Sequence, residues 1–188
     1  MGPLSMVGTN IILLSFKFIK ISFMIIILMG VSGCGKTTIG VDLAAYLGWE
    51  YQEGDALHPP ENILKMSDGI PLNDDDRKPW IAKVSDWIDS HCMAGRDGII
   101  SCSALKKSYR QVIVGNHNDV HLVYLRGTRE LLSRRLTQRR GHFMPPDLLE
   151  SQLELLEEPS ADEHAVVVTI DRTPNDVVRN ICDSLGLQ

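Results

Sequence analysis

The chain has 188 residues, a formal net charge of −5 and 44% hydrophobic residues. This length favours a single domain with its own core, and the composition excludes a disordered, collagen-like or coiled-coil chain. The acidic balance argues against a nucleic-acid partner, because such binding needs a broad basic face. The four cysteines form no C-x-x-C pair. They predict reduced thiols, which are typical of a cytoplasmic protein.

An apolar run at the N-terminus, residues 11–29, is long enough to suggest a membrane span. Lys17 and Lys20 lie inside it, and each would cost about 3 kcal/mol at the centre of a bilayer. Because residues 24–29 are needed as a buried strand, we predict a domain over residues 24–188 and no membrane partner. Residues 1–23 are interpreted as an extension, and an extra strand, a partner-binding segment or a targeting segment stay open as alternatives.

The phosphate-binding motif follows that strand directly. Residues 30–37 read GVSGCGKT and match G-x-x-x-x-G-K-[ST]. Ile39, Leu43 and Leu47 then share one helical face, and Gly48 can end the helix. A buried strand, a glycine-rich loop and a helix in this order are the context that the motif requires.

The residue types of this loop predict binding of ATP or GTP together with Mg²⁺. Glycines let backbone N–H groups converge on phosphate oxygens, and the helix adds its positive N-terminal end. Lys36 would place a cation on the β- and γ-phosphates, and Thr37 would offer its hydroxyl to Mg²⁺. Cys34 is either a small filler or an oxidation-sensitive thiol. The predicted nucleotide-binding residues are Gly30, Val31, Ser32, Gly33, Cys34, Gly35, Lys36, Thr37 and Thr38.

Strand and helix patterns alternate along the rest of the chain. Apolar runs predict strands at residues 98–102, 121–125 and 165–170, with a weaker one at 48–52. Helical patterns lie between them, at residues 81–92, 128–136, 146–156 and 173–185. This alternation predicts an α/β fold with a parallel sheet, whose ligand lies at the carboxyl ends of the strands.

The polar segment 53–80 is too long for a simple connection and suits a polyhydroxylated or anionic small molecule. Asp55 follows a predicted strand and is the best candidate to orient or deprotonate an attacking hydroxyl. His58, Lys65 and Arg77 are predicted to bind the substrate, with Arg77 able to fork onto a carboxylate. An exposed turn for Asp55, a helix cap for His58 and a surface ion pair for Arg77 are the alternatives. The Asp74–Asp76 run is equally consistent with a helix N-terminus.

Two further clusters complete the predicted site. One is the segment that runs from a strand end into a helix and contains Ser103, Lys106 and Arg110. We expect these three side chains to reach the substrate. A basic segment at residues 134–147 predicts a mobile lid, with Arg135 and Arg139 as catalytic cations and His142 as a substrate ligand. A solvated helix face balanced by nearby glutamates is the alternative for that segment.

Four segments carry a family resemblance: GVSGCGKTT, GDALHPPENILKMSDGIPLNDDDRKPW, CSALKKSYR and RRGHFMPPDLLESQLELLEEP. In this order and spacing they resemble the gluconate kinase (gluconokinase) family of P-loop kinases, over residues 24 to about 185. The resemblance implies a five-stranded parallel sheet flanked by helices, with a helical lid. It also implies a cytosolic, often homodimeric enzyme that moves the γ-phosphate of ATP to the 6-hydroxyl of D-gluconate. Glu53 and Cys34 depart from the family, which usually has Asp and Ser there.

Two other functions stay open at this point. The nearest is a kinase with another acceptor, such as shikimate or a nucleoside monophosphate. The other is a nucleotide-dependent switch without a small acceptor, although the N-K-x-D sequence that GTPase switches usually carry is not found in the chain.

Overall fold

The computed structural model describes residues 23–138 and 146–187, with the backbone alone at residues 146–148. Its strands are β1 Ile25–Met29, β2 Glu50–Glu53, β3 Gly98–Ser101, β4 Val120–Arg126 and β5 Val166–Thr169. Its helices are α1 Lys36–Leu47, α2 Pro60–Ser67, α3 Asp74–Ala94, α4 Lys107–Val114, α5 Arg129–Gln138, α6 Pro146–Leu155 and α7 Pro174–Leu185. Two 3₁₀ turns, Gly54–Leu57 and Ala161–Glu163, complete the described elements.

The five strands form one parallel sheet in the order β2-β3-β1-β4-β5, which confirms the predicted fold class. β1 lies in the centre, and every one of its residues is fully buried. Ile26 and Leu28 pack in one core with α1 and α7, whereas Ile25 and Ile27 pack in the other core with α3. Alternate residues of β1 therefore serve opposite helical layers, which explains its unbroken apolar sequence.

α3 begins earlier than the periodic apolar residues predict, at Asp74 instead of near Ile81. Asn73 is the N-cap: its Oδ1 accepts from the Asp76 N–H at 2.8 Å, and Asp76 Oδ2 accepts from the Asn73 N–H at 3.1 Å. This reciprocal capping box supports the helix-terminus interpretation for Asp76. Pro79 lies inside the first turns and lacks the N–H of a regular helix residue. The sequence pattern starts too late because the helix residues before Trp80 are charged or proline and none of them is buried, so no apolar periodicity marks the first turn.

Several predictions fall outside the described residues. They are the extension up to residue 22 and the middle of the lid, residues 139–145, with Arg139 and His142. Within residues 23–138 and 146–187 the structure contains no helix that is both long and apolar enough to cross a membrane.

Gly54 follows β2 directly and leaves no room for a side chain against β3. A Cβ added there would lie 1.9 Å from the Ser101 carbonyl oxygen. Gly54→Ala would push β2 away from β3, and we expect a loss of about 3 kcal/mol in the free energy of unfolding, measured by urea denaturation. Gly95→Ala is the control, because a Cβ at Gly95 meets nothing within 4 Å although its φ is +61°. Equal losses in the two variants would show that Gly54 is not sterically required.

Candidate active site

The phosphate loop is the sharp connection between β1 and α1. Gly30, Gly33 and Gly35 adopt φ angles of 143°, 84° and 94°, which side chains with a Cβ rarely adopt. Gly35 is the N-cap of α1, and no side chain caps this helix. The N–H groups of the first turn are therefore available to an anion.

Lys36 lies folded over this loop. Its Nζ donates to the Gly30 carbonyl at 2.9 Å and to the Val31 carbonyl at 3.4 Å. Cys34 is only 1% exposed, and a Cβ on Gly30 would approach its Sγ to 2.9 Å. Burial raises the pKa of the Cys34 thiol. A buried thiol with a raised pKa is poorly reactive, so the structure favours the filler interpretation.

A hydrogen-bonded carboxylate stands beside the loop. The Thr37 hydroxyl donates to Glu53 Oε2 at 2.6 Å, and the Ser101 hydroxyl donates to Glu53 Oε1. The Tyr51 hydroxyl lies 2.9 Å from Glu53 Oε2. Burial alone would raise the pKa of Glu53, but the hydrogen bonds from Ser101, Thr37 and Tyr51 outweigh it and lower the pKa. Glu53 is therefore a carboxylate anion at neutral pH.

A cavity of about 470 Å³ opens in front of the loop. Lys36, Thr37 and Asp55 line one part of it, so the structure brings Asp55 to the phosphate loop as predicted. Arg135 also lines it, and its guanidinium donates to the Ile170 carbonyl at 2.7 Å. That bond anchors Arg135 beside the loop at the end of α5.

The far part of the same cavity was not predicted. It is lined by Leu136, Ile170, Arg172, Pro174 and Val177, between α5 and the start of α7. Most of these are ordinary apolar residues that also fit a helix or strand pattern, so no motif distinguishes them in the sequence. Arg172, exposed and next to Asp171, resembles any surface arginine.

A second group of charges surrounds Asp74. Lys106 Nζ lies 2.7 Å and 2.8 Å from the two Asp74 carboxylate oxygens, and the Tyr109 hydroxyl donates to the same group. These hydrogen bonds lower the pKa of Asp74. Asp74 and Arg77 line a second cavity of about 510 Å³. The ion pairs of the described residues do not include Arg77, so its predicted alternative as a surface ion pair is not seen there.

His58 and Lys65 have structural partners. The His58 ring is 8% exposed and stacks on Trp80 with 4.3 Å between ring centroids. Trp80 Nε1 donates to the Gly54 carbonyl at 2.7 Å, so the stack supports the turn that carries Asp55. Burial lowers the pKa of His58. Lys65 pairs with Asp76 at 2.6 Å and joins α2 to α3. Neither His58 nor Lys65 lines the cavity at the phosphate loop.

Arg110 does not occupy the predicted substrate-facing position. Its side chain is 1% exposed and forms a two-point ion pair with Glu163. Its Nη1 donates to the carbonyls of Ala104, Leu105 and Glu157 at 2.9 to 3.1 Å. The ion pair holds the pKa of Glu163 at about 2. The sequence could not distinguish this arginine from its neighbours, because its acidic partner is 53 positions away.

Ser103, in the same segment, accepts from the Gly30 N–H through its carbonyl at 3.3 Å, which places its backbone at the phosphate loop.

Comparison with known proteins agrees with this architecture. Residues 32–186 match the family described as shikimate kinase. A gluconokinase of Gluconobacter oxydans is 46% identical over 83% of this chain and 88% of its own length. The thermosensitive gluconokinase of Escherichia coli is 49% identical over 75% of both chains. The crystal structure of a gluconokinase from Sinorhizobium meliloti superposes with a TM-score of 0.80 at 42% identity, covering 88% of this chain and 93% of that one.

A phosphate loop at the carboxyl end of a central parallel strand, with a carboxylate across the cavity, defines a P-loop phosphotransferase. The matches extend over most of the chain and not over the phosphate loop alone. The chain belongs to the gluconokinase family, within the P-loop kinases of the shikimate kinase type.

Proposed function

We propose that the protein transfers the γ-phosphate of ATP to the 6-hydroxyl of D-gluconate, giving 6-phosphogluconate and ADP. The observation that carries this proposal is the position of Asp55 in the same cavity as Lys36 and Thr37. A carboxylate across from the phosphate loop can receive the proton of an acceptor hydroxyl. The gluconokinases at 46% and 49% identity support the choice of acceptor.

ATP binding uses groups that the loop already presents. The amides at the N-terminus of α1 would receive the phosphates, and Lys36 would move its Nζ from the Gly30 and Val31 carbonyls onto the triphosphate. Arg135, anchored on Ile170, would add a second cation beside the loop. The apolar residues at the far end of the cavity suit the nucleobase.

The oxygens of Thr37 and Glu53 fit a Mg²⁺ ion. They are hard ligands that lie 2.6 Å apart, and the Thr37 proton is committed to Glu53, which leaves hydroxyl lone pairs for a cation. Residues 23–138 and 146–187 contain no group of three or more His, Cys, Asp or Glu side chains suited to a metal. Mg²⁺ usually binds through one or two protein oxygens, water and substrate phosphates, and Thr37 and Glu53 would supply the protein oxygens. When bound, the ion would neutralise charge on the phosphates.

Asp55 would orient the 6-hydroxyl and accept its proton as the new O–P bond forms. The bond from the γ-phosphorus to the bridging oxygen breaks, and ADP leaves with that electron pair. Because the transition state of phosphoryl transfer is loose, positioning and charge neutralisation supply most of the rate. Arg77 and Lys106 would bind the carboxylate end of the acceptor, with Lys106 leaving Asp74 to do so.

An ADP-release assay across gluconate, shikimate and AMP tests the acceptor. We expect turnover with gluconate and little with the other two. Coupling the product to 6-phosphogluconate dehydrogenase tests the position, because that enzyme oxidises only the 6-phosphate. Turnover with shikimate or AMP in place of gluconate, or a product that the dehydrogenase does not oxidise, would overturn the proposal. The homodimer and the cytosolic location that the resemblance implies stay predictions.

Arg77→Ala should raise KM for gluconate about tenfold or more and leave KM for ATP nearly unchanged, because a charged hydrogen bond is worth about 1.5–3 kcal/mol. Steady-state kinetics with each substrate varied in turn measure both constants. Arg96→Ala is the matched control, since Arg96 pairs with Glu50 at the amino end of β2, away from the carboxyl ends of the strands. An unchanged KM for gluconate in Arg77→Ala would remove Arg77 from the acceptor site.

A further inference from the structure

One side chain outside the predicted site makes a direct contact with the phosphate loop. The Ser32 backbone N–H donates to the side-chain oxygen of Gln152 at 2.7 Å, across 120 positions of sequence. Ser32 lies in the middle of the loop, between Gly30 and Gly35, and lines the cavity. A backbone amide of a phosphate loop is thus held by a side chain of α6 instead of by the loop itself.

α6 is fixed on two other sides. Leu149 is 2% exposed and packs in the core with Val31 and Cys34. Glu150 pairs with Arg129 of α5 at 2.6 Å. With the Gln152 contact, these interactions hold the helix against the phosphate loop.

The chain that leaves α6 is tied to the segment predicted to bind the acceptor. The Glu157 N–H donates to the Leu105 carbonyl at 2.9 Å, and the Glu157 carboxylate accepts from the Lys107 N–H at 2.6 Å. Lys106 lies between those two residues. Arg110 reinforces the junction through the Glu157 carbonyl at 2.9 Å.

α6 therefore spans the distance between the loop that would hold the donor phosphate and the loop that would hold the acceptor. We propose that Gln152 is a positioning residue for phosphoryl transfer: its side-chain oxygen fixes the position of Ser32 in the phosphate loop relative to the Leu105–Lys107 segment. This inference rests on the proposed function for its kinetic consequence. A displacement of about 1 Å between the reacting groups can reduce a rate about a hundredfold.

Gln152→Met keeps the length of the side chain and removes the acceptor. We expect kcat with gluconate to fall about tenfold or more. The Kd of a non-hydrolysable ATP analogue should stay within about threefold and the melting temperature within about 3 °C, because a single partly buried hydrogen bond is lost. Hydrogen exchange at the Ser32 amide, followed by NMR, should become about tenfold faster or more. Glu154→Ala is the control on the same helix, since Glu154 is exposed.

Gln152→Glu separates a positioning role from loss of packing. Its carboxylate can still accept from Ser32, so the amide should remain slow to exchange. Its negative charge beside the triphosphate should raise KM for ATP severalfold. A kcat of Gln152→Met within threefold of the parent, or an equal effect in Glu154→Ala, would overturn the inference, as would unchanged exchange at Ser32. If the parent enzyme does not phosphorylate gluconate, the proposed function fails, whereas the exchange measurement still decides the role of Gln152.

Discussion

Lys36→Ala should reduce kcat at least about a hundredfold while the protein stays folded. The ammonium group is the cation at the centre of the phosphate loop, where its Nζ lies against the Gly30 and Val31 carbonyls. Without it, charge that develops on the transferring phosphoryl group would lose its stabilising partner. Steady-state turnover and a thermal melt of the same preparation measure the two effects.

Lys78→Ala is the matched control for that loss. Lys78 is 75% exposed and pairs with Asp75 on the surface of α3. Such pairs contribute about 0–1 kcal/mol, so this variant should keep the parent kcat. Turnover of Lys36→Ala within tenfold of the parent would disprove the role of the phosphate loop in catalysis, even if ATP still binds.

Asp55→Asn should lower kcat by about 10²–10⁴-fold, the range expected for loss of a general base. The amide is isosteric and keeps the 3₁₀ turn, but it cannot take the proton of the acceptor hydroxyl. KM for ATP should change little, because in the proposed mechanism the loop amides and Lys36 hold the nucleotide. Single-turnover kinetics with gluconate isolate the transfer step from product release.

Asp86→Asn controls for removal of a carboxylate elsewhere. Asp86 is an exposed residue of α3 and does not line either of the two cavities described above. It should leave kcat unchanged. If Asp55→Asn retains kcat within threefold, Asp55 is an exposed turn residue and the base must be sought elsewhere in the cavity.

The sequence predicts those parts of the fold whose causes are local. The buried strand, the glycine-rich loop and the helix that Gly48 ends all follow from residues adjacent in the chain, and the structure confirms each of them. Thr173 likewise caps α7 by accepting from the Asp176 N–H, with Pro174 at the first helical position. Asp55 is predictable because the carboxyl ends of parallel strands meet at one edge.

The predictions that fail or are missing depend on distant partners. Arg110 is buried because it pairs with Glu163, and Gln152 is held at the phosphate loop because it accepts from the Ser32 N–H. No short-range pattern encodes either pairing, and a glutamine among the leucines of α6 looks like an ordinary helix residue. The far end of the cavity is missed because Ile170 and Val177 are also buried core residues, which the sequence cannot distinguish from other core residues.

The order of the Glu53 side chain bears on which cation the proposed Mg²⁺ site would accept. Ordering a glutamate side chain costs about 1.5–2 kcal/mol of rotamer freedom. Here Ser101 and Tyr51, both strand residues, fix the carboxylate as the sheet forms. In the site proposed for Mg²⁺, a cation that binds the Thr37 hydroxyl beside Glu53 would meet a preorganised carboxylate that adapts poorly to ionic radius. Because Ca²⁺ needs more and longer bonds than Mg²⁺, such rigidity would disfavour the larger ion.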